Sequence, residues 1–206
     1  MAKLLYLQTS PRKDRSKSNQ VAAAFLENYR QANPSDTVET LNVFELDLPS
    51  FDGLTVQAKY TILHGKEHTA EERQAWDAVE KIIAQFKEAD KYVISIPMWN
   101  FGIPYRLKQY IDILVQPGYT FTVGENGYEG LIKGKPVVVI YARGGAYLEA
   151  VEYDKQKPYM EQILGFMGFE DIRSIVVEPT LAEGEERGRQ AVESSIEKAR
   201  ELAAQF

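Results

Sequence analysis

The sequence contains no cysteine and only two histidines among its 206 residues. The lack of cysteine excludes a disulfide scaffold, a thiolate zinc or iron–sulfur site, and a cysteine nucleophile. The two histidines lie in His64-Gly65-Lys66-Glu67-His68, which has the spacing of an HxxEH zinc motif. Gly65 weakens a helix there and no third ligand is evident, so we expect loop histidines in solvent and no metal site.

Long apolar runs and excess positive charge are also missing. The apolar run near the start has four residues, too short for a signal peptide core or a membrane span. The net charge of −6 argues against a broad basic face for nucleic acid or anionic membranes. With 44% hydrophobic and 26% charged residues, we expect one globular domain over residues 1–206, in the cytoplasm, without nucleic-acid or membrane partners.

Short apolar runs alternate with helical periods along the chain. Strands are predicted over Lys3–Gln8, 37–43, 92–96, 136–141 and Ile172–Val177. Helices are predicted after an N-cap at Ser16 or Ser18, after a Thr69/Glu72 capping box, from Pro104, over 158–167 with Gly168 as the C-terminal cap, and around 192–203. This alternation predicts an α/β fold with a doubly wound parallel sheet of order 2-1-3-4-5 and helices on both faces.

Two stretches, 44–68 and 116–135, exceed ordinary connection lengths and are predicted to be irregular insertions. Insertions of this kind are typically lids, binding loops or interface arms. In an open parallel sheet, ligands bind beyond the carboxyl ends of the strands, where the strand order reverses. The loops after Gln8, Ile96 and Tyr141 are therefore expected to converge on one crevice.

The first of these loops, residues 9–18, contains no glycine, so it is neither a GxGxxG turn nor a Walker loop. It offers the hydroxyl groups of Thr9, Ser10, Ser16 and Ser18 and four basic side chains, Lys17 among them, immediately before a helix. Backbone N–H groups and the helix dipole favour an anion at such a place, so we interpret the loop as a phosphate site. An ordinary capped helix start with solvated lysines is the alternative.

The second loop contains Met98-Trp99-Asn100-Phe101 directly after a buried strand. Aromatic faces and Met can cover a flat ligand while Asn100 satisfies its polar edge. The alternative is that Trp99 and Phe101 simply close the core at the end of the sheet.

The third loop is Ala142-Arg143-Gly144-Gly145. Paired glycines after a strand allow the backbone to approach a ligand closely and to donate its N–H groups. An ordinary turn is the commoner meaning of Gly-Gly. Each loop alone is weak evidence for a site, and their shared location is the stronger signal.

With these segments, the sequence resembles the FMN-dependent NADH:quinone oxidoreductases, also called azoreductases, of the flavodoxin-like superfamily, over nearly its full length. The resemblance implies a non-covalently bound FMN. In such proteins the phosphate is surrounded by residues matching Ser10, Ser16, Lys17 and Ser18. The isoalloxazine ring is cradled by residues matching Met98, Trp99, Asn100 and Phe101, and its other edge is contacted by those matching Ala142, Arg143, Gly144 and Gly145.

The resemblance further implies ping-pong hydride transfer from NADH or NADPH to quinones and, more slowly, to azo compounds, in a homodimer whose subunits share the active site. No catalytic side chain is assigned, because the cofactor carries the redox step. Ala142 stands where many relatives have Ser, and Trp99 where Tyr is frequent.

A flavodoxin-like FMN electron carrier with a protein partner is the alternative. A receiver domain would need an acidic pair after the first strand, where Gln8-Thr9-Ser10 stands.

Overall fold

The computed structural model describes residues 1–125, 127–147 and 151–206. Within these residues, seven strands follow one another along the chain: β1 (Lys3–Gln8), β2 (Thr37–Asn42), β3 (Lys91–Pro97), β4 (Phe121–Gly124), β5 (Gly127–Gly130), β6 (Val137–Ala142) and β7 (Ile172–Val177). The described residues also form six α-helices: α1 (Lys17–Ala32), α2 (Gly53–Leu63), α3 (Ala70–Lys87), α4 (Tyr105–Leu114), α5 (Lys157–Met167) and α6 (Glu185–Ala203).

Five of the strands form one parallel sheet of order β2-β1-β3-β6-β7. The remaining two, β4 and β5, pair as a separate antiparallel hairpin. Since the hairpin is inserted between the third and fourth strands of the sheet, the predicted order 2-1-3-4-5 is confirmed. The parallel pairing brings the carboxyl ends of all five strands to one edge.

Both faces of the sheet are covered, as the apolar strands require. Alternate residues of β1 point to opposite faces, so that Leu4 packs with α1 and α6, whereas Leu5 packs on the side of α3 and α4. Every residue of β6 is buried. The sheet is therefore the middle layer of three, and its carboxyl edge is left for the connecting loops.

The helix ends follow the sequence signals closely. The capping box of Thr69 and Glu72 is present at the start of α3. Gly168 ends α5 in the left-handed conformation with φ 107°. At the start of α1, the N-cap position is Ser16, and Ser18 lies inside the helix.

The prediction that 44–68 and 116–135 are irregular is wrong in both cases. The first stretch contains α2, whose N-cap Asp52 accepts from the backbone N–H groups of Leu54 and Thr55. The buried positions of α2 are the small residues Thr55, Ala58 and Thr61, so the large apolar stripe that signals a helix is lacking. The second stretch contains the β4–β5 hairpin, whose short strands are mostly exposed.

The hairpin is fixed to the end of α5 by a close backbone contact. Ile132 N–H donates to the Met167 carbonyl at 2.8 Å. A Cβ atom at Gly130 would overlap the backbone of Gly168 and of Met167. The approach therefore requires glycine at position 130.

We expect Gly130→Ala to lower the free energy of unfolding by about 1–3 kcal/mol, because the added methyl group must displace backbone rather than a flexible side chain. Gly165→Ala, in the last turn of α5, is the matched control, since a Cβ there meets nothing within 4 Å. The control is expected to gain up to about 1 kcal/mol of helix propensity. Urea unfolding of both variants measures the difference, and equal free energies would contradict the contact.

Candidate functional site

The three loops begin at neighbouring positions of the same sheet edge. Gln8 at the end of β1 lies opposite Ser95, and Pro97 at the end of β3 lies opposite Ala142. Met98 N–H donates to the Ala142 carbonyl at 2.8 Å, which joins the second loop directly to the third. The structure thus brings the starting points of all three loops together.

The first loop collects buried hydroxyl groups at the start of α1. Ser10, Ser16 and Ser18 are all buried. Ser16 occupies the N-cap position, yet its Oγ lies 3.1 Å from Ser18 Oγ and makes no capping hydrogen bond. Lys17 is half-buried, with its Nζ 3.5 Å from Gln20 Oε1. A hydroxyl pair at a helix N-terminus suits an anion, because the N–H groups and the helix dipole act in the same direction.

A buried polar network connects this loop to strands β1 and β3. The Tyr6 hydroxyl lies 3.0 Å from Ser95 Oγ, and Ser95 Oγ–H donates to Asn19 Oδ1 at 2.9 Å. Asn19 Nδ2 in turn donates to the Lys13 carbonyl at 3.0 Å. Burial raises the pKa of Tyr6 to about 12, so its hydroxyl keeps its proton at neutral pH. The network holds Lys13 in its left-handed conformation, with φ 49°.

The second loop makes a tight turn with a strained backbone. Trp99 and Gly102 exchange both of their backbone hydrogen bonds, at 3.0 and 2.9 Å. The two residues between them have positive φ, 47° at Asn100 and 68° at Phe101. Asn tolerates the left-handed region, whereas a bulky residue such as Phe is an outlier there. Strain of this kind is commonly found at ligand sites, where the surrounding structure maintains it.

Aromatic residues outside the predicted site lie beside this turn. Ring centroids of Phe44 and Tyr105 lie 5.8 and 6.2 Å from that of Trp99. Those of Tyr147 and Tyr153 lie 6.2 and 5.8 Å from that of Phe101. Phe44 comes two residues after β2. A search of the residues that follow β2, like those that follow β1, β3 and β6, would therefore have found it. The two tyrosines carry no comparable local signal.

In the third loop, the carbonyl groups of Arg143 and Gly144 accept hydrogen bonds within the described part of the protein, whereas the N–H groups of the two glycines are not used in this way. The Arg143 carbonyl accepts from Thr180 N–H at 2.9 Å and from its hydroxyl at 2.8 Å. The Gly144 carbonyl accepts from the next two N–H groups of that segment, at 3.0 and 2.9 Å. Within the part of the chain that the structure describes, the N–H groups of Gly144 and Gly145 donate to no protein group. They form a fixed pair of donors.

The side chain of Arg143 is engaged inside the protein. Its guanidinium contacts Asp154 Oδ2 at 2.6 Å, Glu178 Oε2 at 3.2 Å and Gln156 Oε1 at 3.2 Å. The Arg143 side chain is 0% exposed, and those of Asp154 and Glu178 are 9% and 4% exposed. The structure thus places the backbone of Arg143 in the third loop and its charge among buried carboxylates.

Two clefts open beside the second loop. One, of about 630 Å³, is lined by Phe51, Trp99, Asn100, Gly102, Ile103, Tyr105, Lys108, Gln109 and Asp112. The other, of about 410 Å³, is lined by Gly102, Ile103, Lys108, Lys155, Pro158, Tyr159 and Gln162. The first and third loops line neither cleft, so both lie on the α4 side of the turn.

The two histidines lie in the segment between α2 and α3. His64 ends α2, and His68 Nε2 is 2.7 Å from the Ala58 carbonyl. Over residues 1–125, 127–147 and 151–206, no three His, Asp or Glu side chains are grouped as a metal site would require. In the same residues, no helix combines the length and apolar character needed to cross a bilayer.

Residues 2–203 match a family described by its flavodoxin-like fold. The FMN-dependent NADH:quinone oxidoreductase of Nitratidesulfovibrio vulgaris (strain DP4) is 51% identical over 209 residues, covering all of both chains. A crystal structure of azoreductase from Bacillus anthracis str. Sterne superposes with a TM-score of 0.92 at 32% identity, also covering all of both chains. An FMN-dependent NADH-azoreductase from Bacillus anthracis str. Ames Ancestor, in complex with FMN, has a TM-score of 0.85 at 31% identity and covers 98% of this chain and 100% of its own.

We expect Ser95→Ala to lower the free energy of unfolding by about 1–3 kcal/mol, because it leaves the Tyr6 hydroxyl and Asn19 Oδ1 buried without their partner. Tyr6→Phe is expected to cost less, since Ser95 can still donate to Asn19. Urea unfolding of both single variants and the double variant measures the coupling. Strictly additive costs would show that the three groups do not act as one network.

Proposed function

The chain belongs to this flavodoxin-like fold family, and on that premise we propose that it is an FMN-dependent oxidoreductase that reduces quinones and azo compounds with NADH. One observation carries the proposal: the three most unusual loops start side by side at the sheet edge where the strand order reverses. That edge combines a site suited to an anion with a site suited to a flat ring.

The first loop fits the phosphate of FMN. We assign Ser10, Ser16, Lys17 and Ser18 to the phosphate. The Ser16 and Ser18 hydroxyls are buried, close together and not used for capping. If they give up their mutual hydrogen bond, each can donate its hydrogen to a phosphate oxygen at the start of α1. Lys17 adds a positive charge at the same place.

The second and third loops fit the isoalloxazine ring. We assign Met98, Trp99, Asn100 and Phe101 to its face and polar edge, and 142–145 to its other edge. The ring is large, planar and polar at one end, which matches an aromatic turn next to fixed backbone donors. The Arg143 contribution comes from its backbone, because its guanidinium is bound by carboxylates.

The residues of the three loops would hold FMN, which would supply two-electron hydride chemistry between NADH and the second substrate in a ping-pong cycle. The protein's own residues bind and orient. The N–H groups of Gly144 and Gly145 stabilise negative charge at the ring edge, as fixed dipoles do where charge develops. Trp99, exposed over 37% of its surface, and Phe101, exposed over 48%, provide apolar surface that would exclude water from the face of the ring.

We further propose that the enzyme is a cytoplasmic homodimer in which the second subunit helps to form the active site, acting on small molecules rather than on nucleic acid or membranes. Support for the dimer comes from the apolar surface next to the turn. Gly102, the last residue of the turn, lines both of the clefts beside α4 and α5. Helix α2 exposes Leu54, Tyr60 and Leu63. A second copy covering these surfaces would bury them.

We expect the purified protein, loaded with FMN, to oxidise NADH in the steady state with a quinone as acceptor and no other protein present. Titration with NADH in the absence of oxygen should bleach the visible absorption of the flavin. A flavodoxin-like carrier would bind FMN but turn over poorly without its reductase. Protein that stays colourless with added FMN would contradict the proposal altogether.

We expect Ser16→Ala/Ser18→Ala to raise the Kd for FMN by about tenfold or more, since hydrogen bonds to a charged group are lost. The Kd for riboflavin, which has no phosphate, should change little. Flavin fluorescence titrations give both constants, and Ser194→Ala on the exposed face of α6 is the control. An equal effect on the two ligands would mean that the first loop does not hold the phosphate.

A further inference from the structure

We propose that Arg143 is a positioning residue, acting through Asp154 to hold the strained Trp99–Gly102 turn against the flavin ring. This inference rests on the proposed function in one respect, because flavin binding reports it. Arg143 would serve the ring site without touching the ring with its side chain. Asp154, Lys155 and Gln156, which lie outside the three loops, would then belong to the binding machinery.

The first step is the number of anchors on the guanidinium. Arg143 contacts two carboxylates and one amide oxygen, at 2.6 to 3.2 Å. A guanidinium has several N–H donors in a fixed plane, so it can hold several acceptors in one arrangement. The three acceptors come from two distant parts of the chain, residues 154–156 and Glu178. The guanidinium therefore ties these parts to the end of β6.

The second step is the way Asp154 divides its two oxygens. Oδ2 accepts from Arg143, whereas Oδ1 accepts from the backbone N–H groups of Gln156 at 2.9 Å and Lys157 at 3.1 Å. Asp154 thus orders the backbone entering α5. The Gln156 side chain adds a second anchor, because its Nε2 donates to the Ile96 carbonyl near the end of β3, at 3.1 Å.

The third step leads from this segment to the turn. Lys155 N–H donates to the Phe101 carbonyl at 3.0 Å, and the Tyr153 ring lies 5.8 Å from that of Phe101. Phe101 has φ 68°, a conformation that a bulky residue keeps only when its surroundings impose it. Tyr153 and Lys155 contact Phe101 in this conformation, and Arg143 holds Asp154, which lies between them in the sequence. The second and third loops are thereby coupled through a buried ion pair as well as through Met98 N–H.

Asp154→Asn tests this path with the smallest change of shape. The amide oxygen can still accept from Gln156 and Lys157, but the amide nitrogen faces the Arg143 guanidinium, donor against donor. We expect the Kd for FMN and for riboflavin to rise together, by about tenfold, with their ratio unchanged, because the ring site loosens and the phosphate site does not. The visible circular dichroism of FMN at saturation should also change, which a mere loss of stability would not produce.

Asp171→Asn is the matched control, because Asp171 pairs with Arg173 at 2.7 Å on the exposed amino end of β7. It should leave both constants and the dichroism unchanged. If Asp154→Asn fails to fold, Arg143→Lys is the second variant, because it keeps the positive charge on a single nitrogen. We expect it to raise the Kd for FMN and for riboflavin together, by a smaller factor.

If the wild-type protein binds both flavins and Asp154→Asn leaves both Kd values unchanged, the positioning role is overturned and the proposed function remains intact. An effect on FMN alone would also overturn it, since the path would then end at the phosphate. Wild-type protein that binds neither flavin would instead contradict the proposed function.

Discussion

The parallel pairing of β1, β3 and β6 is the constraint on which the rest of the site depends. Gln8 opposite Ser95 and Pro97 opposite Ala142 fix where each loop leaves the sheet. A slip of one residue would turn Leu5 and Leu7 from one buried face to the other, so the core enforces this register. The position of three separate loops is thus set by packing inside the sheet, before any of their own residues is considered.

Given that edge, the chain builds its site from backbone donors, hydroxyl groups and aromatic faces rather than from strong nucleophiles or metal ligands. This choice agrees with a sequence that has no cysteine and two histidines. When a cofactor carries the electron transfer, the protein needs to bind and orient it, and fixed dipoles are sufficient. The carbonyl groups of Arg143 and Gly144 accept hydrogen bonds from the segment after β7. Among the described residues, the N–H groups of Gly144 and Gly145 donate to no protein group, so these two remain for a ligand.

The sheet and most helix ends could be predicted from the sequence because their signals are local. Buried apolar runs mark β1, β3 and β6, and a capping box marks α3. Helix α2 was missed because its buried face consists of Thr55, Ala58 and Thr61. The contact of Tyr153 with Phe101, and of Asp154 with Arg143, joins residues through tertiary folding, and no spacing in the sequence encodes it. The three loops can therefore be located from the sequence, whereas the tertiary contacts that hold them cannot.

Trp99 and Ala142, where the resemblance leads us to expect Tyr and Ser in relatives, both contribute through their backbone. Ala142 contributes its carbonyl to Met98 N–H, and that link is independent of its side chain. Trp99 keeps the turn through its backbone bonds with Gly102, while its ring packs beside Phe44 and Tyr105. Positions whose role is carried by the main chain tolerate a change of side chain. Phe101 is different, because its backbone is strained and its surroundings must hold it. The rings of Tyr147 and Tyr153 and the N–H of Lys155, all distant in sequence, contact it there.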